Sequence, residues 1–350
     1  MRLYRPSHPG TSRLLVVAMA ALLLLTGCDA DRSVPNAIFR PASPEATSIL
    51  SLSLILLGVA AVVLVGVEAV LFLAIFRFRN RPESAAIQTH GNLKLEFGWT
   101  AATALVILVV LGLTIKTMSE VTASAAEAMP AISAFPGDSL LLKVTGHQWW
   151  WTFEYPQLGV VTANEVHVPV GRPVKLQLES ADVIHSFWVP RLGGKMDTIP
   201  GHTNYTSFVA TEPGVYEGVC AEFCGAQHAQ MGFKIVVVPQ AEFSAWVRGQ
   251  QAPGAQPTNE AQRAGLQTFE RSCAACHTVK GTAAQGKVGP DLTHVGSRLT
   301  IGANTLENTP ANLAKWLSDT QGVKPDSKMP NLNLDPATIE QLVAYLENLK

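Results

Sequence analysis

Cys220-Ala221-Glu222-Phe223-Cys224-Gly225-Ala226-Gln227-His228-Ala229-Gln230-Met231 gathers two thiols, an imidazole and a thioether into one short stretch. Donors this soft suit copper, whereas magnesium and calcium take oxygen ligands. Upstream, His185 in Val183-Ile184-His185-Ser186-Phe187-Trp188-Val189-Pro190 lies in an aromatic, strand-like run and can bring a second imidazole from a neighbouring strand. Two other readings stay open: a Cys-x3-Cys disulfide outside the cytosol, or structural zinc on Cys2His2. A disulfide leaves His228 and Met231 without a use, and zinc has little use for the thioether, so the full donor set favours copper.

Around this stretch the texture is β. From Pro136 onward, runs such as Ser139–Thr145, Glu165–Val170, Val174–Ser180, Thr206–Ala210 and Phe233–Val238 are separated by turn signals at Val170-Gly171-Arg172-Pro173 and Glu212-Pro213-Gly214-Val215. Short strands at this spacing make a sandwich or a barrel. Trp149, Trp150 and Trp151 are consecutive, and on a strand they would point alternately to opposite faces, so at least one should pack in the core. Asp182, three residues before His185, reads either as a docking carboxylate or as a solvated loop residue.

The whole chain has 350 residues, room for two or three domains. Hydrophobic residues make up 47% and charged residues 15%, against ~25% charged in soluble domains. Membrane segments are expected. The net charge of −1 gives no basic surface, so nucleic acid is not an expected partner. Ser48–Phe76 and Phe97–Ile115 are apolar enough and long enough to span a bilayer. The basic residues Arg77, Arg79, Arg81 and Lys94 between them should face the cytoplasm, which returns both outer ends to the other side. Residues 1–28 have Arg2, Arg5 and Arg13 ahead of a short apolar run, as in a secretory signal. Leu25-Thr26-Gly27-Cys28 is similar to a bacterial lipobox, which would make Cys28 the lipid-modified first residue. Glu68, inside the first span, is costly in lipid and should face packed protein or water. Glu96 at the start of the second span reads as a first-turn helix carboxylate.

Gly249–Thr258 has the small, polar, proline-containing composition of a flexible linker. A helical pattern over Asn259–Arg271 then leads into Cys273-Ala274-Ala275-Cys276-His277, the spacing of covalent c-type haem attachment, with a redox dithiol as the other reading. Every cysteine is thereby assigned a role and none is left for a disulfide.

The copper stretch, the His185 run and Gly146-His147-Gln148-Trp149-Trp150-Trp151-Thr152-Phe153-Glu154-Tyr155 together resemble subunit II of the cytochrome c oxidases, which carries the dinuclear copper centre CuA. The resemblance implies a cupredoxin-like Greek-key sandwich. It also implies Cys220 and Cys224 as bridging thiolates, His185 and His228 as terminal imidazoles, and Met231 and the Glu222 carbonyl as weak ligands. By the same carry-over, the Glu222 carboxylate helps bind magnesium shared with subunit I, Trp149 receives electrons above the copper, and Glu96 marks the entrance of a proton path. Val288-Gly289-Pro290-Asp291-Leu292 and Lys328-Met329-Pro330-Asn331 resemble the proximal and distal loops of class I cytochromes c. They make His277 and Met329 the axial haem ligands, with His294 as a rival.

The expected organisation is therefore a membrane-anchored multidomain chain: signal segment 1–28, N-terminal segment 29–47, transmembrane helix hairpin 48–118, all-β CuA domain 131–248, linker 249–258 and an all-α cytochrome c domain 259–350. The resemblance implies electron relay to subunit I in the bacterial inner membrane, with both soluble domains on the periplasmic or outer side. Subunit III and a cytochrome c or other donor are further expected partners. A quinol oxidase subunit II would share the helices and the sandwich but is expected to lack copper ligands. A free-standing membrane electron carrier would keep both metals without an oxidase partner, and a nitrous oxide reductase would need a much larger catalytic domain.

Overall fold

Ser43 opens the first helix: its hydroxyl accepts the Ala46 amide at 3.0 Å, and Pro44 follows at the first helical position. The computed structural model describes residues 36–79, 90–126 and 139–350. The expected signal segment and Cys28 lie outside them.

Helix α1 spans Pro44–Phe78 and α2 spans Leu93–Ala126. Both run past the apolar stretches that announced them, because flanking polar residues continue the helix; Lys116 and Glu120, for example, pair one turn apart at 3.9 Å. At ~1.5 Å per residue, the 35 residues of α1 exceed a ~30 Å hydrocarbon layer, so the helix ends must emerge from it. The most apolar windows, with mean hydropathy 2.8 and 2.1, bury no residue within the chain. Glu68, expected against packed protein, is exposed on α1. In lipid such a carboxylate has to meet protein or water, and this chain supplies no protein cover for it among the described residues. Glu96 lies in the first turn of α2, where its Oε1 accepts the Asn92 amide at 3.2 Å and Asn92 Oδ1 accepts the Leu95 amide at 3.3 Å. That is a reciprocal helix cap.

The segment before α1 is stitched to the β domain: the Ala42 amide donates to Arg191 O at 2.8 Å and the Thr211 amide to Ala42 O at 2.9 Å. Ten strands follow: β1 Leu140–His147, β2 Trp150–Tyr155, β3 Val160–Ala163, β4 Glu165–Pro169, β5 Pro173–Ser180, β6 His185–Trp188, β7 Met196–Thr198, β8 Asn204–Val209, β9 Gly214–Cys220 and β10 Gly232–Val238. They form two five-stranded sheets, ordered β3-β2-β1-β5-β8 and β4-β10-β9-β6-β7. The pairs β1–β5 and β4–β10 are parallel, so the chain crosses between sheets instead of running as a meander. Alternate residues face inward, with Leu142, Val144, Phe153, Leu176 and Leu178 from one sheet meeting Val166, Val168, Phe233 and Ile235 from the other.

The tryptophan run does not simply alternate along a strand. Trp149 lies in the turn before β2, Trp150 stacks on His147 with ring centroids 4.2 Å apart, and Trp151 is fully buried between the sheets.

Helix α3, Gln240–Gln251, packs Phe243 and Val247 on the sandwich and absorbs residues 249–251, which were expected to begin the linker. The remainder is docked along the last domain, not a loose tether. The Gly254 amide donates to Lys280 O at 2.9 Å, and Asn348 Nδ2 donates to Gln256 O at 3.2 Å. Backbone pairing and side-chain caps hold it in place despite its linker-like composition.

The C-terminal domain comprises α4 Glu260–Ser272, the short strands β11 Thr300–Ile301 and β12 Leu306–Glu307, α5 Pro310–Ser318, α6 Thr320–Val323 and α7 Pro336–Asn348. Its core joins Phe269 of α4 to Leu342, Tyr345 and Leu346 of α7, with Leu313 and Leu317 of α5 alongside.

Candidate metal centres

The end of β9 and the start of β10 are adjacent, so the loop between them is pinned at both ends and folds back on itself. The Cys220 amide donates to Met231 O at 3.2 Å, and the Ala221 amide donates to Ser186 O at 2.9 Å. Phe187 pairs with Cys220 in register, which brings His185 of β6 beside the first thiol. Gly146 on β1 makes room for that imidazole: a Cβ there would lie 2.8 Å from the His185 ring.

The two sulfurs stand 3.7 Å apart and unlinked, well beyond the ~2.05 Å of a disulfide bond. His185 Nδ1 lies 3.9 Å from Cys220 Sγ, and His228 Nδ1 lies 3.7 Å from Cys224 Sγ, so the imidazoles approach different thiols. Met231 Sδ is 3.8 Å from Cys224 Sγ, and Glu222 O is 3.3 Å from Cys220 Sγ. Among the described residues His185, Cys220 and Cys224 form the only cluster of this kind, and all are buried. The six residues carried over from the sequence therefore converge on one loop end of the sandwich.

The hydrogen bond from the Cys224 thiol, helped by His185 and the Glu222 backbone, outweighs burial and pushes the Cys220 thiol down to about 3. The shared proton pushes Cys224 in the opposite direction. The pair thus favours loss of a proton from Cys220 over Cys224. Burial alone would lower the His185 imidazole, but the bonds to Asp182 and Cys220 raise it.

Asp182 is not a solvated loop carboxylate. Its Oδ1 meets His185 Nε2 at 2.8 Å, and its Oδ2 accepts the Gln148 amide at 2.8 Å and Lys328 Nζ at 3.4 Å. Burial would raise this carboxyl, yet the bonds from His185 and the Gln148 and Val183 amides hold it well below the usual carboxylate range. The imidazole is thereby oriented with Nδ1 towards the sulfurs.

Trp149 belongs to two sites. Its indole N–H donates to Cys224 O at 3.0 Å beside Gln148 Nε2 at 2.9 Å, and its ring also lines the large cavity of the C-terminal domain. That cavity, about 240 Å³, is walled by Cys273, Cys276, His277, Met329 and the apolar side chains of α4, α5 and α7. His277 Nδ1 contacts Pro290 O at 2.9 Å. A carbonyl can only accept, so Nδ1 carries the proton and Nε2 keeps its lone pair. Burial lowers the basicity of this imidazole. Gly289 leaves space for it, since a Cβ there would sit 2.6 Å from the ring. His294 does not line the cavity. Its nitrogens meet Lys350 O and Ala252 O, both at 3.2 Å, so it ties the chain end to the stretch after α3.

Family models for the transmembrane domain and the periplasmic domain of cytochrome c oxidase subunit II match residues 36–115 and 157–238, and a cytochrome c model matches 262–350. A cytochrome c oxidase subunit 2 from Alkalihalophilus pseudofirmus is 38% identical over 343 residues, covering 97% of each chain. The chain belongs to the cytochrome c oxidase subunit II family. A quinol oxidase subunit 2 from Bacillus spizizenii is 31% identical, over 71% of this chain and 75% of that one. The crystal structure of the periplasmic domain of a cytochrome oxidase subunit II from Bradyrhizobium japonicum is 36% identical, covering 34% of this chain and 97% of that one, with a TM-score of 0.32.

As a subunit II, the chain works within a haem-copper oxidase together with partner subunits such as subunit I, and its two apolar helices anchor a periplasmic domain to the membrane. The subunit II domain implies CuA copper, and the cytochrome c domain implies haem.

Proposed function

We propose that this chain relays single electrons from cytochrome c or another external donor, through its own covalent haem c and a dinuclear CuA centre, to subunit I, where oxygen is reduced to water and protons are pumped. The observation that carries the reading is the donor set at the β9–β10 loop. Six donor atoms are more than the four that one tetrahedral ion takes, and the imidazoles of His185 and His228 approach different sulfurs. That arrangement fits a pair of ions sharing Cys220 and Cys224, with Met231 Sδ and Glu222 O as weak ligands. The same donors separate the reading from a quinol-oxidising one, for which they have no use.

The copper pair and the haem, when bound, each accept and release one electron at a time. The protein's part is to hold their ligands still. Asp182 fixes the His185 ring, the paired strands β6 and β9 fix its backbone, and the Trp149 and Gln148 side chains fix the Cys224 carbonyl. Such a site moves little when its charge changes. In the last domain Cys273 and Cys276 would hold a haem covalently, and His277 Nε2 and Met329 Sδ would be its iron donors, a pair that raises the haem potential. Trp149, in contact with both sites, is the side chain through which they would communicate.

The remaining assignments extend the same reading. The Glu222 carboxylate would join oxygen ligands of subunit I around magnesium. Glu96 would stand at the cytoplasmic start of α2 as the entrance of a proton path. Cys28 would carry lipid, subunit III would complete the complex, and the location would be the bacterial inner membrane, crossed twice.

Visible and near-infrared spectra with metal analysis of the full-length chain purified in detergent test the reading. The expected result is c-haem bands, mixed-valence copper absorption and two coppers per chain. Zinc or a lone copper in the site contradicts it.

Met231→Leu gives a finer test. The side chain is 1% exposed and its sulfur is 3.8 Å from Cys224 Sγ. The swap conserves volume and should cost less than ~1.5 kcal/mol. Copper is expected to stay bound while its potential shifts, because weak ligands tune the metal more than they hold it. Potentiometry with copper analysis checks this, and complete copper loss would show Met231 to be a holding ligand.

A further inference from the structure

Lys324 lies at the seam between the two soluble domains, 3% exposed. It projects from the segment after α6 and donates to three carbonyls: Trp149 O at 2.8 Å, Gln230 O at 2.7 Å and Gly302 O at 2.9 Å. The first two belong to the sandwich and the third to the haem-binding domain. An ammonium has three donors, and here all three are used. No carboxylate accepts from it among the described residues. Burying a cation is costly even with its donors satisfied, so Lys324 is a poor choice for stability and a specific choice for geometry.

Two of its three partners lie beside the copper loop and the cavity. Trp149, like its neighbour Gln148, touches both sites, and Gln230 precedes Met231, the proposed thioether ligand. Three further bonds cross the seam close by: the Gly232 amide donates to Ala303 O at 3.0 Å, the Leu299 amide donates to Glu165 Oε2 at 2.7 Å, and Lys328 Nζ donates to Asp182 Oδ2 at 3.4 Å. Gly232 allows the close approach, since a Cβ there would lie 3.0 Å from Asn304 Cβ.

We propose that Lys324 is a positioning residue for electron transfer between the haem and copper domains: by clamping Trp149 O and Gln230 O to Gly302 O, it fixes the haem cavity against the copper loop. The proposal rests on the relay reading above. One electron leaves the reduced haem iron and enters the oxidised copper pair, with no proton or co-reactant needed. The rate of such a step falls steeply with distance, so a fixed seam matters more than a short linker.

The test uses the assembled oxidase carrying Lys324→Met, which keeps the stem and removes the donors. Haem and copper content are measured first, and in the unaltered complex these decide the relay reading independently. Amide hydrogen exchange is then followed at Gly232 and Leu299, with Phe153 and Leu342 as core controls, alongside haem-to-copper electron equilibration after photoreduction. The variant is expected to keep both centres, to exchange faster at Gly232 and Leu299 but not at the controls, and to equilibrate on the order of tenfold or more slowly, as small misplacements of reacting groups do. Unchanged exchange and an unchanged rate would overturn the proposal. So would slowing that tracks loss of haem or copper while the seam amides stay protected, because Lys324 would then support a centre and not the docking. If the methionine variant does not assemble, the same two readouts on Lys324→Gln decide.

Discussion

Cys220→Ser is expected to abolish the dinuclear centre while leaving the haem in place. Cys220 is 6% exposed at the end of β9, and serine matches it closely in volume, so the sandwich should still fold. What changes is the donor. A hydroxyl is hard and remains protonated near neutral pH, whereas this thiol is pushed down to about 3 by its bonds to Cys224 and His185. If both ions share both sulfurs, removing one sulfur removes a bond from each ion at once. Copper should fall from two per chain to one or none, and the near-infrared absorption should vanish. Turnover of the assembled oxidase with its external donor should drop by more than the ~100-fold that loss of an outer ligand-orienting group can cost. The c-haem bands should be unaltered, since Cys220 does not line the haem cavity. A variant that keeps two coppers and its turnover would remove Cys220 from the site.

The contrast between ligands and their supports shows what the sequence could convey. Cys220, Cys224, His228 and Met231 are legible because they share one loop, where spacing alone restricts how they can meet. His185 is legible from its aromatic strand, and Cys273 and Cys276 from a five-residue signature. Asp182 and Lys324 are different. Asp182 reaches the Gln148 amide across 34 residues and Lys324 reaches Trp149 across 175, so each gains meaning only when distant segments pack together. Lys324 carries no local signal, because a lysine in a loop reads as solvated surface. The stretch 252–258 misleads in the opposite direction. Its composition is that of a flexible coil, yet Gly254 and Ala252 hydrogen-bond to Lys280 and His294, and such pairing leaves no mark on composition. The helix ends were blurred for a simpler reason: hydropathy reports where lipid begins, not where helical hydrogen bonding stops.

The double variant Cys273→Ser/Cys276→Ser is expected to unfold the last domain and leave the sandwich intact. The reason lies in how that domain is built. Phe269, Leu313, Leu317, Leu342 and Leu346 are its core, and the same side chains line the cavity, so the prosthetic group would complete the core and does not merely decorate it. On the proposed reading, a haem without thioether bonds would be held only by His277 and Met329 and would be readily lost. An apolar cavity of about 240 Å³ left to water forfeits the burial and packing that its lining would gain against the porphyrin. The sandwich is insulated, because its core from Leu140 to Val247 is closed by its own two sheets and α3. Haem staining on denaturing gels should be lost, and limited proteolysis should remove the chain beyond about residue 258 while the copper spectrum persists with a disturbed environment near Trp149. Protease resistance of the haem-free domain equal to that of the native one would show that its core closes without the porphyrin and would contradict this account of its stability.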